Sequence, residues 1–317
     1  MGRSGAPGSV PAVEARNIAV RWWWRERPKG EWRLALAMVC PLVGILLGLM
    51  AYPLVSALYM SVTDKTIGSR GGYVGLSNFL QLAEDSIFRQ TVGNAVVYTV
   101  VAVTIKTIVG MGLAVALARV GERGGTVRAL ILLPWVIPIS ITALAWWWMF
   151  DPMFSVINRG LRALGLAASG IPWLGDPFWA RVAVILVNVW RGLPFFATVF
   201  LAGLLSIPRE LYEAAETDGA GPLESFVRIT LPLLRPVLSL VILYSVVMTV
   251  ADFEIIYILT RGGPVNRTHL FATYAFQVGL EGTLIGKGAA IALFIFPVLA
   301  GASYFTLRII RRGEEYA

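Results

Sequence analysis

The chain is poor in the residues that most protein chemistry needs. It has one cysteine, Cys40, and one histidine, His269, in 317 residues. A single cysteine excludes an intrachain disulfide and any multi-cysteine metal site. A single histidine argues against a histidine-rich metal centre, so no metal site is expected. No Ser-His-Asp, Cys-His or paired-carboxylate set can be assembled, and enzymatic function is not expected. There is no Gly-Lys-Ser/Thr phosphate loop, so the chain does not bind ATP by that route. Charge is scarce too: 15% of residues are Asp, Glu, Lys or Arg, against about 25% in a soluble domain.

What the chain does have is apolar length. Hydrophobic residues make up 57% of it. Polar groups are too few to cover that surface, so lipid is the expected solvent. A membrane span takes about 20 mostly apolar residues. Six runs qualify: 34–62, 94–118, 129–150, 179–207, 236–260 and 286–310. The first starts too far in, and runs too long without a small-residue cleavage site, for a removed signal peptide. It is expected to be a retained helix. The sequence therefore predicts an all-α membrane protein with six transmembrane helices.

The basic residues set an orientation. Sixteen Lys and Arg lie on one side of these spans, seven of them between Arg3 and Arg33, and at most nine on the other. The richer side is expected to face the cytoplasm. Both termini and the loop around Glu213 fall there. The net charge of +8 flanks apolar spans, which suits anionic lipid rather than nucleic acid. Residues 1–33 form an N-terminal tail. Trp22, Trp23, Trp24 and Trp32 are mixed there with basic residues, a composition suited to the headgroup layer. The spans and their loops occupy 34–310, and 311–317 form a C-terminal tail. No internal repeat is seen.

Between the fourth and fifth runs lies a charged, glycine-broken segment, with the loop at 208–235. From Glu213 to Pro232 it reads EAAETDGAGPLESFVRITLP. Ser206 and Pro208 suit a helix start. Gly219-Ala220-Gly221 is expected to break the helix, since glycine enters left-handed conformations cheaply. Pro222 suits a restart, and Pro232 and Pro236 suit a stop.

The spacing is Glu-Ala-Ala, three residues, Gly, nine residues, Ile, one residue, Leu-Pro. It resembles the cytoplasmic coupling loop of permease subunits of binding-protein-dependent ABC importers. The resemblance implies a coupling site at Glu213, Ala214, Ala215, Asp218, Gly219, Ile229, Leu231 and Pro232. A short helix there docks onto an ATP-hydrolysing partner. Two further segments are similar to the carbohydrate branch of these permeases, which includes the larger membrane subunit of the maltose importer. They are Trp190-Arg191-Gly192-Leu193-Pro194-Phe195 and Asp252 to Pro264. The similarity covers nearly the whole chain. Only one span precedes the shared core of five, and the loop between the second and third spans is short. Details of the maltose system are therefore not carried over.

The implied fold is that of a type I ABC importer permease in a bacterial or archaeal cytoplasmic membrane. The implied function is import of a sugar or sugar derivative. Implied partners are a second permease, two ATPase subunits that bind ATP and magnesium, and an extracytoplasmic solute-binding protein. This chain itself needs no cofactor. The alternatives are a glycerophosphate or polyol cargo on the same machinery, and an ion-driven secondary transporter. The last would need intramembrane carboxylates and commonly inverted repeats.

Charges inside the runs are costly unless paired or hydrated. Arg191 sits about twelve residues into the fourth run, near Pro194, which is expected to bend the helix. Trp190 and Arg191 are read as lining a solute path, and the rival reading is an arginine bonded to carbonyls. Asp252 and Glu254 are expected either to pair with Arg191 or to line the same cavity. Two residues apart on a helix, they would face different sides. Lys106 is expected to snorkel or to pair across the bundle. Trp146, Trp147 and Trp148 are read as an aromatic belt.

Overall fold

The computed structural model describes residues 31–120, 124–166 and 170–314. Most of the N-terminal tail, including Trp22, Trp23 and Trp24, lies outside the described residues, as do the last residues of the C-terminal tail. Among the described residues the chain is helical and contains no strand longer than an isolated bridge between Thr63 and Tyr73.

The elements in order are α1 (Glu31–Leu46), a π turn (Leu47–Ala51), α2 (Tyr52–Ser61), α3 (Ser77–Glu84) and α4 (Ser86–Val120). Then come α5 (Gly125–Val136), α6 (Ile139–Met149), α7 (Val156–Ala163), α8 (Pro177–Leu205) and α9 (Arg209–Thr217). Next are α10 (Pro222–Ser225), a second π turn (Phe226–Thr230), α11 (Leu231–Leu233), α12 (Arg235–Val250) and α13 (Glu254–Leu259). Last are α14 (Phe271–Phe276), a third π turn (Gln277–Glu281), α15 (Ile285–Leu293) and α16 (Ile295–Glu314).

Four helical stretches are long and apolar enough to cross a membrane: Trp32–Ser61, Ser86–Val120, Pro177–Leu205 and Ile285–Arg308. Two bent pairs raise the number to six if each is one span: α5 with α6, bent by 88°, and Pro222–Leu233 with α12, bent by 69°. The expected third run is thus not one straight helix. Pro138 explains the break. It lacks an N–H, and it drives the preceding Ile137 into an extended conformation, ψ 132°. The expected fifth run also stops early, after Val250, and restarts at Glu254. Helix α16 continues to Glu314, past the expected limit of the membrane domain at 310.

Two of the π turns have a common cause. Leu47–Ala51 directly precedes Tyr52-Pro53, and Phe226–Thr230 directly precedes Leu231-Pro232. A helical proline clashes with the carbonyl four residues before it. In both cases that carbonyl, of Leu49 or Arg228, lies in the widened turn, where it can tilt away. Pro232 therefore does not stop its helix, as expected from sequence, but sits within it.

The chain divides into two units, Met1–Ser56 and Ala57–Ala317. The described part of the first is an apolar helix, exposed all round: Leu36, Met38, Leu42, Leu47 and Leu49 are each 58% exposed or more. A helix apolar on every side belongs in lipid or between other helices.

The second unit holds two apolar clusters. One gathers Phe88, Phe150, Trp173, Val184, Val187, Val250, Leu270 and Ile291. The other gathers Met111, Leu117, Phe196, Phe200, Leu234 and Val241. Helices α4 and α8 run through both and pack along their length. Glycines permit the approach: a Cβ on Gly110 would lie 2.6 Å from the Phe196 Cβ. Helix α8 continues unbroken through Pro194. At the start of α4, Asp85 ties distant elements together. Its carboxylate accepts from the Tyr274 hydroxyl at 2.7 Å and from the Ile87 N–H at 2.9 Å, with Lys287 at 3.6 Å. Burial acts to raise its pKa, but these bonds and the ammonium outweigh it and hold the group below the usual carboxylate range.

Candidate functional site

Two regions carry the residues singled out by sequence. The first is the helical corner after α8. Ser206 does not cap α9; its hydroxyl donates backward to the Gly203 carbonyl at 2.7 Å, and Pro208 holds the N-cap place. The corner closes at Gly219, with φ +82°. The Gly219 N–H bonds the Glu216 carbonyl at 3.0 Å, and the Ala220 N–H bonds the Ala215 carbonyl at 2.9 Å. These are the two bonds of a Schellman motif, which needs a residue at ease in the left-handed region. The chain then turns back. Tyr212 and Thr230 share a hydroxyl bond of 2.8 Å across the corner.

Glu213, Ala214, Asp218 and Gly219 are exposed, and Ala215 is half-buried. Ala215, Asp218, Gly219 and Ile229 share a groove of about 300 Å³ with Glu224 and Arg228. Leu231 and Pro232 lie on the returning helix, away from that groove. Glu224 and Arg228 form an ion pair of 3.0 Å. The sequence reading missed both, although their spacing of four is an ion-pair signal.

The second region is a cavity of about 480 Å³ in the second unit. Arg191, Asp252 and Glu254 all line it, as do the aromatic residues Trp135, Phe195 and Tyr244. Trp190 does not line it. Its ring packs edge-on against Trp146, 5.6 Å between centroids, and Trp146 packs on Phe150 at 5.4 Å. Trp146 is thus part of the packing, while Trp147 and Trp148 remain 48% and 57% exposed.

The expected pairing of Arg191 with Asp252 or Glu254 is not found. The ion pairs among the described residues are Arg228–Glu224 and Lys287–Asp85. Asp252 instead accepts from the Tyr98 hydroxyl at 2.7 Å and from the Asn188 side-chain amide at 3.0 Å. Glu254 accepts from the Ser140 hydroxyl at 2.8 Å. The two acids differ in setting because the helix breaks between Val250 and Glu254, so helical face arithmetic does not apply to them. The Nε of Arg191 is buried without a hydrogen-bond partner among the described residues. Lys106 also lines the cavity. Its ammonium donates to Asn188 Oδ1 at 2.9 Å and to Thr249 Oγ1 at 3.0 Å.

Comparison with known proteins identifies the family. Residues 106–312 match the family described as binding-protein-dependent transport system inner membrane component. The chain belongs to that family. It is the membrane permease subunit of an ABC importer, and ATP hydrolysis is the work of partner subunits rather than of this chain. The permease is 33% identical to the sulfoquinovosyl glycerol transport system permease protein of Agrobacterium fabrum, over 92% of this chain and 95% of that one. It is 34% identical to the trehalose/maltose transport system permease protein of Thermococcus litoralis, over 89% of this chain and 95% of that one. Its fold matches a chain of a bacterial alginate ABC transporter, solved in complex with an alginate pentasaccharide-bound periplasmic protein. The TM-score is 0.77 at 25% identity, covering 90% of the permease and 96% of that chain.

Proposed function

We propose that the permease imports a carbohydrate or sugar derivative through the cavity between α4, α8 and α12, and that the corner at Gly219 couples it to an ATPase. The observation that carries the first part is the makeup of the cavity. Aromatic walls, Trp135, Phe195 and Tyr244, stand beside the polar groups of Arg191 and Glu254. Sugar rings offer apolar faces to stack and hydroxyls to bond, and a few placed polar groups among apolar walls is what such a ligand needs. The Arg191 Nε, buried without a partner, is a donor that a solute hydroxyl can satisfy. The relatives named for sugar-containing solutes support the same class.

Six spans are the working topology, each bent pair counting as one. Both termini and Glu213 face the cytoplasm, on the strength of the Lys and Arg asymmetry. The coupling surface comprises Glu213, Ala214, Ala215, Asp218 and Gly219, with Ile229, Leu231 and Pro232 on the returning helix. A short exposed helix ending in a tight corner fits a cleft on a partner. The complex would contain a second permease, two ATPase subunits and an extracytoplasmic binding protein. Co-purification with an ATPase and ATP-dependent uptake into proteoliposomes test this assembly. Identifying the solute carried by the binding protein tests the cargo. Uptake driven by an ion gradient without ATP would overturn the reading.

A further inference from the structure

Between the two apolar clusters lies a thin polar layer. On α4, the upper cluster ends at Tyr98 and Ala95, and the lower begins at Met111; Lys106 falls between. On α8, Asn188 falls between Val187 and Phe196; on α12, Ser245 and Thr249 fall between Val241 and Val250, and Asp252 borders the layer just after them. Lys106 and Asp252 are only 4% and 7% exposed, so neither charge is relieved by bulk water.

Asn188 joins them. Its Oδ1 accepts from the Lys106 ammonium at 2.9 Å, and its Nδ2 donates to the Asp252 carboxylate at 3.0 Å. The amide is used at both ends, acceptor toward the cation and donor toward the anion, so its orientation is set by its partners. Tyr98 adds a second donor to Asp252, and Thr249 a second acceptor to Lys106. Gly192 completes the arrangement. A Cβ there would lie 2.5 Å from the Lys106 Cδ, so the glycine leaves a channel in α8 for the lysine stem. The chain thus ties α4, α8 and the end of α12 by one continuous path of hydrogen bonds.

We propose that Asn188 is a positioning residue that joins Lys106 and Asp252 into one neutral unit, locking these three helices together along the cavity wall. Two opposite charges bridged by an amide engaged at both ends sum to no net charge. A solute then meets Arg191 and Glu254 as the charges of the cavity outside that unit, although Lys106 and Asp252 line the same space. Removing any one member leaves a buried charge without its counterpart, which a low-dielectric interior penalises heavily.

The test separates bridging from mere packing. The probe is Mg-ATP hydrolysis by the complex in nanodiscs with its solute-loaded binding protein, and heat-inactivation midpoints are taken on the same samples. Asn188→Leu, Lys106→Met and Asp252→Asn are each expected to lower hydrolysis about tenfold or more, since each strands a buried charge. The double variant Lys106→Met/Asp252→Asn should recover to within about threefold of the parent, because both charges are gone together. In that neutral background, adding Asn188→Leu should change nothing further. A packing role for Asn188 would persist there, and additive losses in the double or triple variant would overturn the proposal. The hydrolysis readout rests on the importer reading, whereas the heat midpoints do not. If the parent complex shows no stimulated hydrolysis, the importer reading fails, and coupling or additivity of the midpoints still decides the network.

Discussion

Arg191 and His269 show how burial assigns work to single side chains. Arg191 has a buried Nε that finds no hydrogen-bond partner among the described residues. Arg191→Ala is expected to lower transport by tenfold or more, an effect of about 1.4 kcal/mol, while leaving assembly with the ATPase intact. Uptake assays paired with pull-down measure the two separately, and loss of assembly would mean the residue holds the bundle instead. His269 sits 1% exposed in the segment between α13 and α14, against Gly262, whose added Cβ would strike the imidazole ring. Burial pushes its pKa down from 6.5 to about 4. The folded state thus holds it neutral where the unfolded state would protonate it. Its contribution to stability is full above about pH 6.5 and is lost as pH falls through about 4. The ring faces the Thr273 hydroxyl at 3.2 Å and the Tyr274 ring at 5.6 Å between centroids. Protection factors of the 262–270 amides, corrected for intrinsic exchange, are expected to be flat above pH 6.5 and to fall below it. Unchanged protection at pH 4 would count against this role.

At the scale of elements, the corner after α9 is the clearest unit. Its closing bonds need Gly219 at φ +82°, and no atom crowds its absent Cβ. Backbone strain is then the main effect of Gly219→Val, since a β-branched residue disfavours that region. Glu213 is exposed and forms no ion pair among the described residues. Glu213→Lys therefore leaves the fold of this chain unchanged and acts at a partner surface, where losing a desolvated charge pair costs about 2–5 kcal/mol of binding. Both variants are expected to insert normally into the membrane and to retain binding-protein docking. Both should lose the ATPase in pull-downs or lose stimulated hydrolysis. Full retention of both would show that the corner is not the coupling element. The prolines act at this scale too. Pro138 bends a span by stopping its helix, whereas Pro53 and Pro232 are absorbed by π turns, and Pro194 is carried within α8 without a break.

At the scale of the whole molecule, the proposed orientation rests on charge placement. Cysteines placed at positions 70 and 162, both exposed, should react with an impermeant reagent in intact cells once Cys40 is replaced. A cysteine at position 213 should react only after the membrane is opened. Labelling of position 213 from outside would invert the topology and remove the coupling role from that corner. Further cysteines at positions 125 and 152 read whether α5 and α6 form a single crossing, because a re-entrant segment would bring both to one side.

Much of this architecture is local information. Apolar runs locate Trp32–Ser61, Pro177–Leu205 and Ile285–Arg308 to within a few residues, because transfer into lipid depends on composition over about 20 residues and little else. The glycine corner is equally local, since only one residue type takes that backbone conformation cheaply. The cavity is different. Arg191, Asp252 and Glu254 could be marked as unusual from sequence, but not which of them would pair. The break after Val250 moved the two acids into separate settings, and Trp190 turned to Trp146 rather than to the cavity. Asn188 carried a signal, a polar side chain in an apolar run, yet its meaning depends on Lys106, 82 residues away in sequence, and on Asp252, 64 away. Hydropathy averages over neighbours along the chain, whereas a buried charge is settled by whichever helix faces it. The sequence by itself determined that this protein crosses a membrane and where it turns; only the packing of α4, α8 and α12 decided which charges are cancelled and which are left for a solute.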